Sequence, residues 1–198
     1  MGIMDITISG YENLMHEIQN MQGKGKKVIN RTIGDFKKRG PGWISQEIVK
    51  EYNIKKADIN EHKKGVRNKG TARVRGVRLD QVQLVYQGRV LTPTHFGMKP
   101  KARPARGPYI VTAQIKKTES RKPLGERGVF LAASGREGTM QIPFQRQAAD
   151  TKRLPIEVIK TVSVPQMITN EKVSEDIHSR INIELGKRLE HHLKQVMK

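Results

Sequence analysis

Apolar side chains recur with the period of an amphipathic helix over the last part of the chain, and charged side chains fill most positions between them. The recurring residues are Val173, Ile177, Ile181, Leu185, Leu189, Leu193 and Met197. A stripe of this kind predicts a helix with one buried side. Ser163, Pro165 and Gln166 have the residue types of an N-cap, a first turn and a capping box. The sequence therefore predicts a C-terminal helix over residues 163–198.

The four-residue spacing has a consequence for the shape of this helix. It drifts around a helix of 3.6 residues per turn, so the stripe must spiral or the helix must bend. Gly186 is the candidate for a bend. The apolar side also needs a surface to cover it. We expect that surface to be the central strands of the protein, or else a neighbouring subunit.

Residues 1–64 form a helical N-terminal segment on the same reasoning. The apolar spacing predicts four helices there, over residues 11–21, 26–39, 43–52 and 57–64. Gly23-Lys-Gly25 and Gly40-Pro41-Gly42 are expected to separate the first three, because glycine and proline disfavour helix interiors. Residues 1–9 alternate weakly and predict a short strand ahead of the helices.

Residues 65–162 change in character and form an antiparallel β region with basic loops. The sequence predicts strands over residues 71–79, 81–87, 109–115, 129–133, 140–145 and 155–162, with apolar and polar positions alternating over 81–87, 109–115 and 140–145. The continuously apolar residues 129–133 predict the most buried strand, and residues 134–138 predict a hairpin turn. Residues 98–108 are rich in Pro, Lys and Arg, which predicts an extended loop.

The order of these elements predicts an α+β fold. It consists of N-terminal helices, a central antiparallel β-sheet and a long C-terminal helix. We expect one compact domain overall, built from residues 1–64, 65–162 and 163–198.

Basic side chains are concentrated in the middle of the chain. The 198 residues carry 38 Lys and Arg against 19 Asp and Glu, a formal net charge of +19. Residues 61–128 alone hold 17 basic and 4 acidic side chains. A concentrated positive surface indicates a polyanionic or acidic partner. The alternative is a solvated face that only confers solubility.

The residue patterns of common enzyme chemistry are missing from the sequence, so we expect no catalysis, cofactor or metal. The chain has no cysteine, which excludes disulfides, thiol catalysis and thiolate metal sites. His191 and His192 are adjacent and point about 100° apart on a helix, so they do not easily share a metal. Nucleophile-elbow and phosphate-loop motifs are absent. No apolar run reaches the ~18 residues of a membrane span, and we expect no membrane contact.

The basic middle of the chain has few aromatic residues and matches no nucleic-acid-binding signature. If it meets nucleic acid, we expect contacts to phosphates without sequence preference. The candidate contacts to a polyanion or a partner protein are Lys99, Lys101, Arg103, Arg106, Lys116, Lys117, Arg121 and Lys122. A basic nucleic-acid-binding module is therefore one hypothesis for the function.

A second hypothesis comes from several short motifs that follow one another along nearly the whole chain. They are Ile29-Asn-Arg-Thr32, the helix over 45–52 with Ile54-Lys55, Gly128-Val-Phe-Leu-Ala132 with Phe144-x-Arg146, Leu154-Pro-Ile-Glu-Val158, Ser163-Val-Pro165, and Leu185-Gly186-x-x-Leu189-x-His191-x-Leu193. In this order they resemble the minor tail protein Z family of long-tailed bacteriophages, whose members are tail-completion proteins. The Lys- and Arg-rich residues 98–127 are the least similar to that family.

The resemblance implies a structural protein at the head-proximal end of a phage tail, or of a phage-tail-like particle. It implies a hexameric ring beside tail-tube, terminator or connector proteins, assembled in the host cytoplasm and located in the virion tail. A ring needs head-to-tail interfaces, and the C-terminal stripe offers one; an intramolecular contact with the sheet is the open alternative. The candidate interface residues are Ile181, Leu185, Leu189 and Leu193.

Overall fold

The computed structural model of the chain describes residues 2–5, 16, 18, 20, 21, 23–59, 71–75, 83–125, 128–134, 140–146 and 155–198. Within this part of the chain, a long helix near the N-terminus and a long C-terminal helix flank most of the antiparallel strands in chain order. The fold is therefore α+β, as predicted from the order of the elements.

The N-terminal helix, α1 (Gly23–Glu51), is continuous. The predicted separation at Gly40-Pro41-Gly42 is therefore wrong, and the helix also begins inside the expected first break. Large apolar side chains on both sides of Pro41 belong to one buried face, among them Phe36, Trp43, Ile44 and Ile48. Burying each is worth about 1.5–3 kcal/mol, and together they outweigh a helix cost of about 1 kcal/mol per glycine and 3 kcal/mol for proline.

The other predicted N-terminal helices are described only in part. His16, Ile18 and Asn20 are helical, in agreement with the helix predicted over residues 11–21, whose other residues lie outside the described part except Met21. A short helix, α2 (Lys56–Ile59), falls at the start of the helix predicted over residues 57–64. Residues 60–64 are not described.

The C-terminal segment consists of two helices where one was predicted. The first is α3 (Val164–Ile168) and the second is α4 (Glu171–Met197). The predicted capping box is confirmed: the Ser163 side chain accepts from the Gln166 amide, and the Gln166 side chain accepts from the Ser163 amide. The break follows from Asn170, whose backbone is extended and whose side chain caps α4 by accepting from the Val173 amide.

The apolar stripe of α4 packs against α1, and not against the strands as expected. Its Val173, Ile177 and Ile181 lie in one buried cluster with Val28 and Phe36 of α1. Tyr86, Leu91 and Phe96 of the middle segment join the same cluster. Because two long amphipathic helices cover each other, the strands are left to form smaller sheets at their side. The helix α4 continues through Gly186, which is buried.

The strands in the described residues form three small antiparallel sheets. The strands are β1 (Gly2–Asp5), β2 (Thr71–Arg75), β3 (Gln83–Gln87), β4 (Thr112–Ala113), β5 (Lys122–Pro123), β6 (Phe130–Ser134), β7 (Met140–Arg146) and β8 (Ile156–Val158). The sheet orders are β1-β3-β2, β4-β5 and β6-β7-β8. The predicted hairpin between residues 129–133 and 140–145 is confirmed by the pairing of Phe130 with Phe144 and of Ser134 with Met140. The turn itself, residues 135–139, lies outside the described residues.

The expectation that residues 129–133 form the most buried strand is wrong. Leu131 is the one buried side chain of β6, and Ala133 is exposed. The strand lies at the edge of its sheet and pairs only with β7, so a continuous apolar run does not have two covered faces here.

The strand predicted over residues 109–115 is reduced to β4. Its predicted alternation remains, since Val111 and Ala113 are buried and Ile110 is exposed.

Candidate polyanion-contact surface

The eight basic residues predicted as contacts lie in one segment, residues 97–125, which we call the basic loop. It contains a single acidic residue, Glu119. Residues 101–108 are exposed throughout, and of the eight basic residues only Lys116 and Arg121 are partly buried. The basic loop therefore presents a surplus of positive charge to solvent.

Backbone hydrogen bonds give the base of the basic loop a defined shape. Lys99 and Thr112 exchange two of them, with N···O distances of 2.9 and 2.8 Å. The Leu124 amide donates to the Val111 carbonyl at 2.8 Å, next to the paired strands β4 and β5. Paired backbone groups replace the regular structure that the prolines prevent, so the segment is ordered by its own chain.

A small apolar cluster fastens the basic loop to the third sheet. Met98 and Val111 are buried together with Leu131 of β6. The Leu131 amide also donates to the Tyr109 hydroxyl at 3.0 Å. Further along, the Arg103 amide donates to the Oε1 atom of Gln141 in β7 at 2.6 Å. The loop is thus attached to this sheet at two points.

The basic loop is also joined to the two long helices through Glu51. The Lys117 amide donates to the Glu51 carbonyl at 2.8 Å. The Glu51 carboxylate accepts from the Lys172 ammonium of α4 at 3.0 Å. That hydrogen bond, with the charge of Glu51, raises the pKa of Lys172. Glu51 therefore contacts the basic loop with its backbone and α4 with its side chain.

Three of the eight basic side chains are engaged within the chain itself. Arg121 donates a hydrogen bond to the Gly97 carbonyl. Lys122 pairs with Glu119 at 2.8 Å, and its hydrogen bond and charge lower the pKa of that carboxyl. Lys116 is partly buried at its backbone bridge to Tyr52, and its charge lowers the pKa of Glu119 further. The Arg121 side chain thus links two ends of the loop, and the Lys122 side chain pairs locally with Glu119.

The other five basic side chains are exposed and have no acidic partner among the described residues. They are Lys99, Lys101, Arg103, Arg106 and Lys117. The sequence indicated the whole group of eight but could not divide it, because the Arg121–Gly97 contact joins residues 24 positions apart. The structure separates the basic side chains that interact within the chain from the exposed ones that have no acidic partner among the described residues.

The predicted subunit-interface residues lie elsewhere, inside the single chain. Ile181, Leu185 and Leu189 are 0%, 2% and 4% exposed, and Leu193 is partly buried against the same core. In this fold they cover α1 and offer no surface to a second subunit. The prediction of an interface here is therefore corrected. The alternative of an intramolecular contact holds, although the partner is α1 and not the sheet.

The structure also shows polar and aromatic contacts that the sequence did not indicate. His192 of α4 lies 3.1 Å from the Asp35 carboxylate of α1. On the third sheet, the rings of Phe130 and Phe144 stack with centroids 6.0 Å apart, and the Arg146 guanidinium lies 6.0 Å from the Phe130 centroid. The His192–Asp35 contact joins residues 157 positions apart, for which a single sequence carries no local signal. The aromatic contacts depend on the register of the hairpin, which the strand predictions did not specify.

The described residues contain no group of three or more His, Asp or Glu placed to hold a metal ion. None of the helices in the described part of the chain combines the length and the apolar content of a membrane span.

Comparisons of the chain with models of known protein families, with curated proteins and with solved structures gave no match.

Proposed function

We propose that the chain is a structural tail-completion protein, which acts at the head-proximal end of the tail of a bacteriophage or phage-tail-like particle. It works there through surface contacts, in several copies arranged in a ring, and transforms no substrate. The motif order from Ile29 to Leu193 supports this proposal. The observation that carries it is the body formed by α1 and α4, which bears an exposed basic loop attached to it by backbone hydrogen bonds.

A protein that joins two assemblies needs a rigid body and exposed contact surfaces. The helices α1 and α4 supply such a body, because their large apolar side chains are buried against each other. The basic loop is joined to that body by the Lys117–Glu51 hydrogen bond. A contact made on the loop is therefore transmitted to the helices without a disordered linker.

The interface between copies in the proposed ring must use surfaces other than the stripe of α4. Exposed apolar side chains remain on the third sheet, where Met140 is 53% and Ile156 is 39% exposed. The register that pairs Arg146 with Ile156 places both residues on the face that also carries Phe130 and Phe144. This face is our candidate for the contact between neighbouring copies.

The test of the tail proposal is co-purification. The chain would be expressed with an affinity tag in cells that produce the phage or tail-like particle encoding it, and the particles would be purified through the tag. We expect intact tails labelled at the end that meets the head. Recovery of the free chain without tails would contradict the proposal.

The contact between copies is tested with two variants. A Met140→Asp/Ile156→Asp variant should remain folded and lose the ring, while an Ile183→Asp variant, changed at an exposed position of α4, should keep it.

A basic nucleic-acid-binding module that acts outside any particle is the second candidate function. The surplus of positive charge on the basic loop favours it. The two candidates differ in assembly, because a free module binds nucleic acid as a monomer and does not attach to tails.

A further inference from the structure

Three of the five cations of the basic loop that have no acidic partner among the described residues lie at backbone contacts with other parts of the fold. Lys99 lies in the backbone pair with Thr112, and Lys117 lies at the hydrogen bond to Glu51. Arg103 is fixed through its amide to Gln141. Ordering a loop at the moment of binding costs affinity, and a preformed loop avoids that cost. The surface is therefore suited to binding a partner of opposite charge.

We propose that Lys99, Lys101, Arg103, Arg106 and Lys117 bind the phosphate backbone of duplex DNA. This inference deepens the tail-completion proposal, since it assigns the surface that faces DNA at the junction of head and tail.

The composition of the exposed surface favours DNA over an acidic protein. Protein interfaces are anchored by buried aromatic and aliphatic side chains. Ile110, which is 71% exposed, is the one strongly exposed large apolar side chain in residues 97–125. Interfaces with DNA are more polar and far more positive, and they draw mostly on phosphate contacts. A segment that exposes five such cations and one strongly exposed large apolar side chain fits the second description.

The same composition favours duplex over single-stranded nucleic acid. Single strands are bound by stacking their bases on exposed aromatic rings. Tyr109 is the only aromatic residue of the basic loop, and its hydroxyl is already bonded to the Leu131 amide beside the apolar cluster. The five side chains can therefore meet phosphates, but the loop offers no platform for bases. We expect binding that does not depend on base sequence.

Fluorescence anisotropy with a short labelled DNA duplex, measured over a series of salt concentrations, tests the inference on the full-length chain. Each phosphate neutralised contributes about −0.9 to the slope of log K against log salt, so five contacts predict a slope of about −4.5. The variant with Lys99, Lys101, Arg103, Arg106 and Lys117 all changed to Gln should lose most of this slope. Its affinity at moderate salt should fall at least tenfold.

The matched control removes the same charge from α1. Lys24, Lys26, Lys27, Lys37 and Lys38 are all exposed, and changing them to Gln should leave most of the slope and affinity intact. Equal losses in the two variants would show that net charge alone attracts DNA and would overturn the inference. Tighter binding to a polyglutamate peptide, or to single-stranded than to duplex DNA, would also overturn it. The single variants Arg103→Gln and Arg106→Gln, each expected to reduce the slope by about 0.9, provide the same test with minimal change to the fold.

This experiment and the tail experiment can fail independently. If the chain attaches to tails but does not bind DNA, the DNA-binding surface is refuted and the tail proposal stands. DNA binding through the five residues by a chain that never attaches to tails would refute the tail proposal alone.

Discussion

The Nε2 atom of His192 lies 3.1 Å from the Oδ2 atom of Asp35, and this contact joins the two long helices at a partly buried position. The carboxylate accepts, so Nε2 donates. Removal of either partner leaves a polar group at the edge of the core without its hydrogen bond. Hydrogen bonds to charged groups are worth about 1.5–3 kcal/mol. The pair therefore contributes to the alignment of α1 and α4 as well as to their stability.

A double-mutant cycle measures this contact. His192→Ala and Asp35→Ala should each lower the free energy of unfolding by about 1–3 kcal/mol, and the double variant should show a coupling of about 1 kcal/mol or more. Urea unfolding followed by circular dichroism is the measurement. Glu190 of the same helix is exposed, so Glu190→Ala should change stability by less than about 0.5 kcal/mol. Additive losses from the two single variants would show that the side chains do not interact.

Two glycines of α1 should respond in opposite directions to alanine. A Cβ atom on Gly25 would lie 1.8 Å from the Ile18 carbonyl oxygen, so Gly25→Ala forces the backbone apart and should cost more than about 2 kcal/mol. A Cβ atom on Gly34 meets nothing within 4 Å, and Gly34→Ala should stabilise the helix by up to about 1 kcal/mol. Thermal unfolding of both variants is the measurement. Equal effects would contradict the close approach of residue 18 to α1.

The capping box at the start of α3 should be worth about 1 kcal/mol. The Gln166 amide donates to the Oγ atom of Ser163 at 3.3 Å, and Ser163 itself is buried. The Ser163→Ala substitution removes this acceptor. Substitutions of this kind at an N-cap cost about 0.5–2 kcal/mol. Ser179→Ala, at an exposed position in the middle of α4, serves as the control and should be neutral or slightly stabilising. If both substitutions had the same effect, the cap would contribute nothing to folding.

The Glu119–Lys122 pair should be visible as a shifted titration. The hydrogen bond and charge of Lys122 lower the pKa of Glu119. A carboxyl whose pKa is lowered by folding contributes its stabilisation above its unfolded pKa, and that contribution is lost as the pH falls through the folded value. Carbon-13 NMR of the Glu119 carboxyl should give a midpoint below the ordinary glutamate range. Lys122→Met should move that midpoint upward, whereas Lys187→Met, which removes a partner of Glu184, should not move it.

The features predicted correctly from the sequence are those that local rules determine. The capping box at Ser163 and the apolar period of α4 need only neighbouring residues, and both are present in the structure. The positions of the hairpin strands follow from the apolar run that contains β6, the alternation along β7 and the turn residues between them. The exposure of most of the eight basic residues follows from their charge and from the prolines around them.

The features predicted wrongly are those that tertiary contacts determine. Gly40-Pro41-Gly42 disfavours a helix locally, yet the shared burial of Phe36 and Ile44 keeps α1 continuous. The stripe of α4 has the pattern of an interface, but a sequence does not say whether its partner is a subunit, a sheet or another helix. Some cations of the basic loop have a partner among the described residues and others do not. This division likewise depends on contacts such as that of Arg121 with Gly97.

The most direct measurement of the central claim is the mass of the assembled species. Sedimentation-velocity ultracentrifugation of the purified chain, alone and after incubation with tails that lack it, reports whether copies join one another and whether they join a tail. The account predicts a discrete multiple of the 22.5 kDa chain, consistent with a ring, bound to the head-proximal end of the tail. A single species of 22.5 kDa under both conditions, with tails that stay unoccupied, would contradict it.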